Sequence, residues 1–325
     1  MNTSILDRFR NITLSPKAAV ENFLADDSEG LRISQKGKAF YKKRADDIAE
    51  RIRLAKEAEE ARIRAEEAAK EAERIKREGG RRSLAAPFIL DRETYSYVAH
   101  ALAGKRAMDT ITTASNGTEI AAKDCMTLWG KTNWLNDEIV NTQLGWICLE
   151  ANKRIPASGG VPAVAAMPSF FYTSFLTKGY QGVARWARKQ KIGGPAFLKA
   201  RTVLVPINNA SHWTLLVISP RLKKVEYFDS LGGSPSRFFT FVRNWLSNEL
   251  GKAYKAEEWT KEVPELVQQT NGYDCGVFLL TNAELCSFGI NPMSYMGRDM
   301  PAQRLRIACI LLDRGFGKHA EYLQV

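Results

Sequence analysis

Histidine is the scarcest chemically active side chain in this chain: the 325 residues hold three, His100, His212 and His319. Imidazole chemistry therefore has few places to sit. Cysteine is also sparse. The five, at 125, 148, 275, 286 and 309, are odd in number, form no CxxC pair and have no histidine at ligand spacing. That pattern excludes a disulfide scaffold and a zinc finger and points to a reducing, intracellular setting, with no metal or cofactor expected. No apolar run approaches the about 20 residues that a bilayer crossing needs, and the start, MNTSILDRFRNITLSPK, lacks a signal-peptide core. A soluble protein without membrane insertion is expected.

The 45% hydrophobic and 26% charged residues are those of a globular protein, yet the average hides two regions, because Trp is absent and Phe scarce before Pro87. The net charge of +11 admits an anionic partner. Its even spread makes nucleic acid an unexpected one, with 38–82 the only segment on which a basic scaffold role could rest. Residues 1–37 mix polar, charged and isolated apolar positions and are expected to be disordered. Lys38–Glu78 is Ala, Glu, Arg and Lys without Gly or Pro, a composition that favours helix throughout. Its apolar positions Ile48, Ile52, Ala55, Ile63 and Ile75 keep no heptad, so a solvated helical arm over 38–82 is expected rather than a stable coiled coil. GGRRS at 79–83 stops it, and KREGGRR at 76–82 also has the look of a nuclear-import patch.

From 86 to 325 the chain reads as one folded α+β domain. TVLVPI (202–207), HWTLLVI (212–218) and KVEYFD (224–229) are strand-like, while 137–152, 235–251, 275–288 and 301–314 are helical. The turn signal SPRLKK separates the second and third strands. A hairpin centred between Pro220 and Arg221 places His212 directly opposite Asp229, where the carboxylate can hold one imidazole nitrogen and leave the other as a base. In QQTNGYDCGVFLL, Asp274 is a plausible N-cap and Cys275 the first residue of a helix, whose N-terminus favours thiolate. Gly272 and Gly276 would leave room for a substrate backbone, and Gln269 could donate to an oxyanion. Cys148, Cys286 and Cys309 fall in apolar helical segments and read as core.

The order His-Trp, then Asp-Ser, then Gln-x-Asn-Gly-x-Asp-Cys-Gly resembles the SUMO-specific cysteine proteases, the Ulp/SENP family. NWLNDEIVN at 133–141 and SFF…GYQGVARW between 169 and 186 resemble it too, so the likeness runs from about Thr118 to the C-terminus. It implies a papain-like fold, with a central mixed or antiparallel sheet flanked by helices and an extended charged helix ahead of it. It implies His212 as general base, Asp229 as its orienting carboxylate, Cys275 as nucleophile and Gln269, with the Cys275 N–H, as oxyanion donor. Trp134 and Trp213 match tryptophans that cover the tunnel for a Gly-Gly tail, and Asp137 matches an acidic contact for SUMO. The implied partners are SUMO and SUMO conjugates, with a targeting partner for the arm and a nuclear location, including the envelope or pore. Cleavage after Gly-Gly would mature precursors or release SUMO from lysines. The same chemistry on a Nedd/Rub-type modifier, or a non-catalytic modifier-binding role, are the competing readings.

Overall fold

The computed structural model describes residues 17, 18, 21, 35–79, 81, 91–130 and 132–323, with backbone alone at 68, 70–79 and 322. They fall into two compact units, Met1–Ile75 and Lys76–Val325. The first is dominated by α1 (Gln35–Gly79), which runs 45 residues and ends at the glycine where the sequence predicts its stop. Its exposed face carries Arg53–Glu50, Arg53–Glu57 and Arg62–Glu59 pairs. The disorder expected for 1–37 lies largely outside the described residues. Where described, Lys17, Ala18 and Glu21 are helical and α1 begins at Gln35. Among the described residues no helix is long and apolar enough to cross a membrane.

The second unit is built on one mixed sheet. It opens with α2 (Arg92–Leu102), a small hairpin of β1 (Thr110–Thr113) and β2 (Glu119–Ala121), and α3 (Ala122–Trp129). Then come α4 (Asp137–Arg154), β3 (Val164–Ala166), α5 (Phe171–Lys178) and α6 (Trp186–Lys189). After them run β4 (Thr202–Asn209), β5 (His212–Ser219), β6 (Lys224–Phe228), α7 (Ser236–Leu250), β7 (Thr260–Glu262), α8 (Cys275–Ser287) and α9 (Met300–Leu312). The sheet order is β3-β4-β5-β6-β7, antiparallel at its centre and parallel at both outer pairs.

Side chains alternate across a strand, and here both sides are apolar, so the sheet is buried on both faces. Leu204, Trp213, Leu215, Val217 and Phe228 join one core with α4, α8 and α9. Val203, Val205, Leu216, Ile218, Val225 and Tyr227 join the other with α5, α6 and α7, where Phe171, Phe197 and Trp245 meet edge to face.

The helix α8 is enclosed on all sides: its thirteen residues are all buried, against β5, α4 and α9. A polar group taken from water must find a partner, and each of these does. Thr281 and Ser287 donate to carbonyls one turn back, Tyr295 donates to Asn282, and Glu284 takes a bidentate pair from Arg306 of α9 at 2.7 and 2.9 Å. Burial pushes the Glu284 carboxyl above its ordinary range, and Arg306 opposes that push. Arg306→Met should therefore cost about 3–5 kcal/mol, because it leaves a buried carboxylate without its cation. Arg306→Met/Glu284→Leu should recover most of the loss; urea denaturation followed by circular dichroism measures both.

Candidate active site

Strand β5 begins at His212 because a two-residue turn, Ala210–Ser211, closes the β4–β5 hairpin with Asn209 paired to His212. Both turn residues take left-handed φ, 51° and 65°, which a two-residue hairpin demands and L-residues adopt only under constraint. The other side of β5 corrects the register expected from sequence. Ser219 pairs with Lys224, so the β5–β6 hairpin is centred between Arg221 and Leu222, and Asp229 is not directly opposite His212. The cause is a longer connection: Pro220–Leu222 form a 3-10 turn and Lys223 goes left-handed at φ 49°. Asp229 instead lies diagonally from His212, just past the end of β6, and still accepts from its Nε2 at 2.7 Å.

The Asp229 carboxylate is fully engaged. It also accepts from the backbone N–H groups of Leu231 and Gly233, both at 2.9 Å, and from the Tyr227 hydroxyl at 3.1 Å. The loop DSLGG wraps it so closely that a Cβ on Gly233 would stand 2.5 Å from Oδ2, which explains glycine there. Burial opposes ionisation of Asp229, but His212 and those N–H donors outweigh it and hold the carboxyl at about 2.

Cys275 is the first residue of α8, is 3% exposed, and lies beside His212, whose Nε2 is engaged by Asp229. Burial alone would raise its thiol. His212 and the N–H groups of Trp213 and Gly276 more than offset that, so its pKa lies below the ordinary value. Asp229 first and Cys275 second push the His212 imidazole up to about 9. The three side chains can thus hold a thiolate–imidazolium pair at neutral pH, which is the ground state of a cysteine nucleophile.

Two expectations about the preceding loop need correction. Asp274 occupies the N-cap position, but its side chain makes no capping bond. It is drawn away by Arg304 of α9 (2.7 Å) and by the Asn271 amide (2.8 Å), while Asn271 organises the bend by accepting from the N–H groups of Tyr273 and Asp274. Gly276 does not face a substrate channel. A Cβ there would meet Leu135 at 2.9 Å, whereas the same position on Gly272 faces open space.

Gln269 is buried. Its Nε2 donates to the Asn271 carbonyl at 2.6 Å, its Oε1 accepts from Ser230 at 2.7 Å, and one amide N–H remains beyond these bonds. Trp134 is 52% exposed and donates to the Gly272 carbonyl at 2.8 Å, so it stands over the open side of the loop rather than in the core. Trp213 is buried and donates to the Leu135 carbonyl. Asp137 is half-buried at the first position of α4, behind the cap that Asn136 provides to Ile139. The structure brings His212, Asp229, Cys275, Gln269, Trp134 and Trp213 into one seam, with Asp137 just outside it. Sequence reasoning missed Tyr227, Ser230, Leu135 and Arg304. An arginine inside the apolar run RLRIACILL was the one available signal. Among the described residues no three His, Cys, Asp or Glu side chains converge as a metal site requires.

A family model described as the Ulp1 protease family, C-terminal catalytic domain, matches residues 133–312. The chain belongs to the Ulp1 protease family. A sentrin-specific protease of Caenorhabditis elegans is 34% identical over 201 residues, covering 60% of this chain and 27% of the relative. The ubiquitin-like-specific protease ESD4 of Arabidopsis thaliana is 31% identical over 231 residues, 68% of this chain and 46% of the relative. The chain thus spans less than half the length of these curated relatives. Among solved structures, the catalytic domain of a Chaetomium thermophilum Ulp1-like SUMO protease superposes with TM-score 0.68 at 32% identity, over 73% of this chain and 96% of that one. The yeast Ulp1 protease domain in complex with Smt3, the yeast orthologue of SUMO, superposes with TM-score 0.59 at 29% identity, over 71% of this chain and 98% of that one. The α+β architecture read from the sequence is therefore the Ulp1-like protease fold.

The electrostatics of this Ulp1-family site can be checked without substrate. In nuclear magnetic resonance titration the His212 ring should lose its proton near pH 9. Asp229→Asn removes the largest stabiliser of the charged ring, so the midpoint should fall toward the ordinary histidine value, and Cys275 alkylation at pH 7 should slow with it.

Proposed function

We propose that the chain is a thiol-dependent protease that cleaves after the C-terminal Gly-Gly of SUMO, maturing the precursor or releasing SUMO from lysine side chains. The observation that carries this reading is Cys275 at a helix N-terminus beside His212, whose Nε2 is fixed by Asp229. His212 takes the Cys275 proton and the thiolate attacks the glycine carbonyl carbon. The imidazolium then gives a proton to the departing amine as the C–N bond breaks. Water, deprotonated by His212, attacks the thioester and releases the modifier's carboxylate and the thiol. The Cys275 N–H and the remaining Gln269 N–H are the proposed donors to the oxyanion. Trp134 over the open side of Gly272, with Trp213 beneath, supports a narrow slot that only glycine can thread, and Asp137 is the proposed contact for a basic residue of the modifier. The yeast relative's complex with Smt3 supports SUMO as the modifier.

The same reading assigns 86–325 to the protease domain and 38–82 to an arm that binds a targeting partner. It also assigns a nuclear location, supported by the basic stretch at 76–82 and the Ulp/SENP resemblance. A tagged full chain that stays cytoplasmic would refute that location.

Probes consisting of SUMO or a Nedd/Rub-type modifier, each ending in an electrophile, test the substrate. Wild type should be labelled by the SUMO probe at Cys275, and labelling by the other modifier alone would overturn the assignment. Cys275→Ser should lose turnover by on the order of 10⁴-fold or more while still binding SUMO. Asp229→Asn should lose on the order of 10⁴-fold in kcat with the fold intact. Binding of SUMO without any labelling would favour the non-catalytic reading.

A further inference from the structure

One buried cation lies outside the set just described, yet touches both sides of the seam. Arg304, in α9, is 3% exposed. Its Nε and Nη2 reach the Asp274 carboxylate at 2.9 and 2.7 Å. Its Nη1 donates to the Thr127 carbonyl at 3.0 Å, and Nη2 donates to the carbonyls of Asn133 and Tyr273 at 2.9 and 3.0 Å. Each acceptor sits where the backbone has no partner of its own kind. Thr127 lies in the last turn of α3, where carbonyls are left over. Asn133 immediately precedes Trp134, and Tyr273–Asp274 immediately precede Cys275. One guanidinium therefore joins the segment that carries the exposed tryptophan to the loop that delivers the thiol.

The connection continues. The second Asp274 oxygen accepts from the Asn271 side-chain amide, the Asn271 backbone carbonyl accepts from Gln269 Nε2, and the Gln269 Oε1 accepts from Ser230 beside Asp229. The Arg304 fork is thus one end of a chain of bonds whose middle is the proposed oxyanion donor.

We infer that Arg304 is a positioning residue for the proposed cleavage, holding the Tyr273–Asp274 loop and the Asn133–Trp134 segment in one register and shielding Cys275 from the Asp274 charge. The inference rests on the reading of Cys275 as nucleophile. Stability alone is a poor account of this pair, because buried ion pairs can often be replaced by apolar residues of like volume without loss. An apolar pair, however, cannot donate to three carbonyls. Lysine cannot replace the fork either, since its compact ammonium has no planar array of donors. The charge has a second effect. Cys275 faces the imidazole of His212, with Asp229 behind it, on the β5 side. On the α9 side, the Asp274 carboxylate one residue away is balanced by Arg304. Without Arg304 that carboxylate would disfavour the thiolate.

The test uses the full chain with Arg304→Lys, Arg304→Met and Arg304→Met/Asp274→Asn. Each is read by thermal melting, by kcat and KM on a SUMO C-terminal fusion, and by the pH profile of Cys275 alkylation with iodoacetamide, which needs no modifier. Arg304→Lys keeps the charge but not the fork: the alkylation midpoint should stay at the wild-type value while kcat/KM falls about 10–100-fold, the scale of a displaced reacting group. Arg304→Met should move the midpoint upward. In the double variant midpoint and melting should return toward wild type while kcat/KM stays at least about tenfold down. Wild-type kcat/KM in the lysine or the double variant would overturn the positioning role, and an unmoved midpoint in a folded Arg304→Met would overturn the shielding. If that single variant does not fold, the lysine and double variants still decide the positioning. A wild type that is alkylated at Cys275 but cleaves no modifier would count against the substrate reading alone, and the alkylation profiles would still decide the shielding.

Discussion

The second unit is organised around enclosing α8. A helix with solvent on one side can leave its polar residues wet; α8 has no such side, so each of its polar side chains has to find a partner in the helix itself or in another element. The sheet supplies apolar cover through Trp213 and Leu215, α4 supplies more, and α9 supplies arginines. The exact direction in which α8 starts is what places a thiol against the end of β5. A helix free to roll by even a fraction of a turn would carry Cys275 away from His212. Enclosure is therefore the physical basis of the site's geometry.

The charges around α8 follow the same logic. Arg304 and Arg306 are two residues apart on α9, yet one addresses the loop before α8 and the other Glu284 in its third turn. Both pairs lie where desolvation is expensive, and such pairs contribute little net stability relative to apolar packing. Their value is directional, because bidentate and forked hydrogen bonds fix angles as well as distances. The Asp229 carboxylate works in the same way, with four donors on two oxygens.

Much of this was legible in the residues. The strands from Thr202 to Phe228 and the helices starting at Asp137, Ser236, Cys275 and Met300 are strongly patterned, and their ends carry capping or turn residues. The His212–Asp229 contact was expected through the wrong hairpin centre and survives because the error is a whole two-residue period: both residues stay on one face of the sheet. Turn length is what misled, since SPRLKK does not announce that Lys223 takes a left-handed conformation. The side-chain cap at Asp274 was misread because a local rule was applied where a distant arginine competes for the same oxygens. The short strands β3 and β7, three residues each, are too brief to show alternation and exist only by pairing with the sheet. Gly276 was read as space because sequence does not show that Leu135 fills it.

The turn before His212 has a consequence of its own. Ala210 and Ser211 hold left-handed backbone without glycine, at a cost of about 1–2 kcal/mol per residue. That conformation persists only while β4 and β5 remain zipped together on either side of it. The imidazole is therefore moored to the integrity of the central strands, and any fraying of that hairpin releases stored strain by moving the base out of reach of the thiol. Competence in such a site is cooperative with the sheet as well as with the enclosure of α8: a molecule whose middle hairpin has parted cannot keep it.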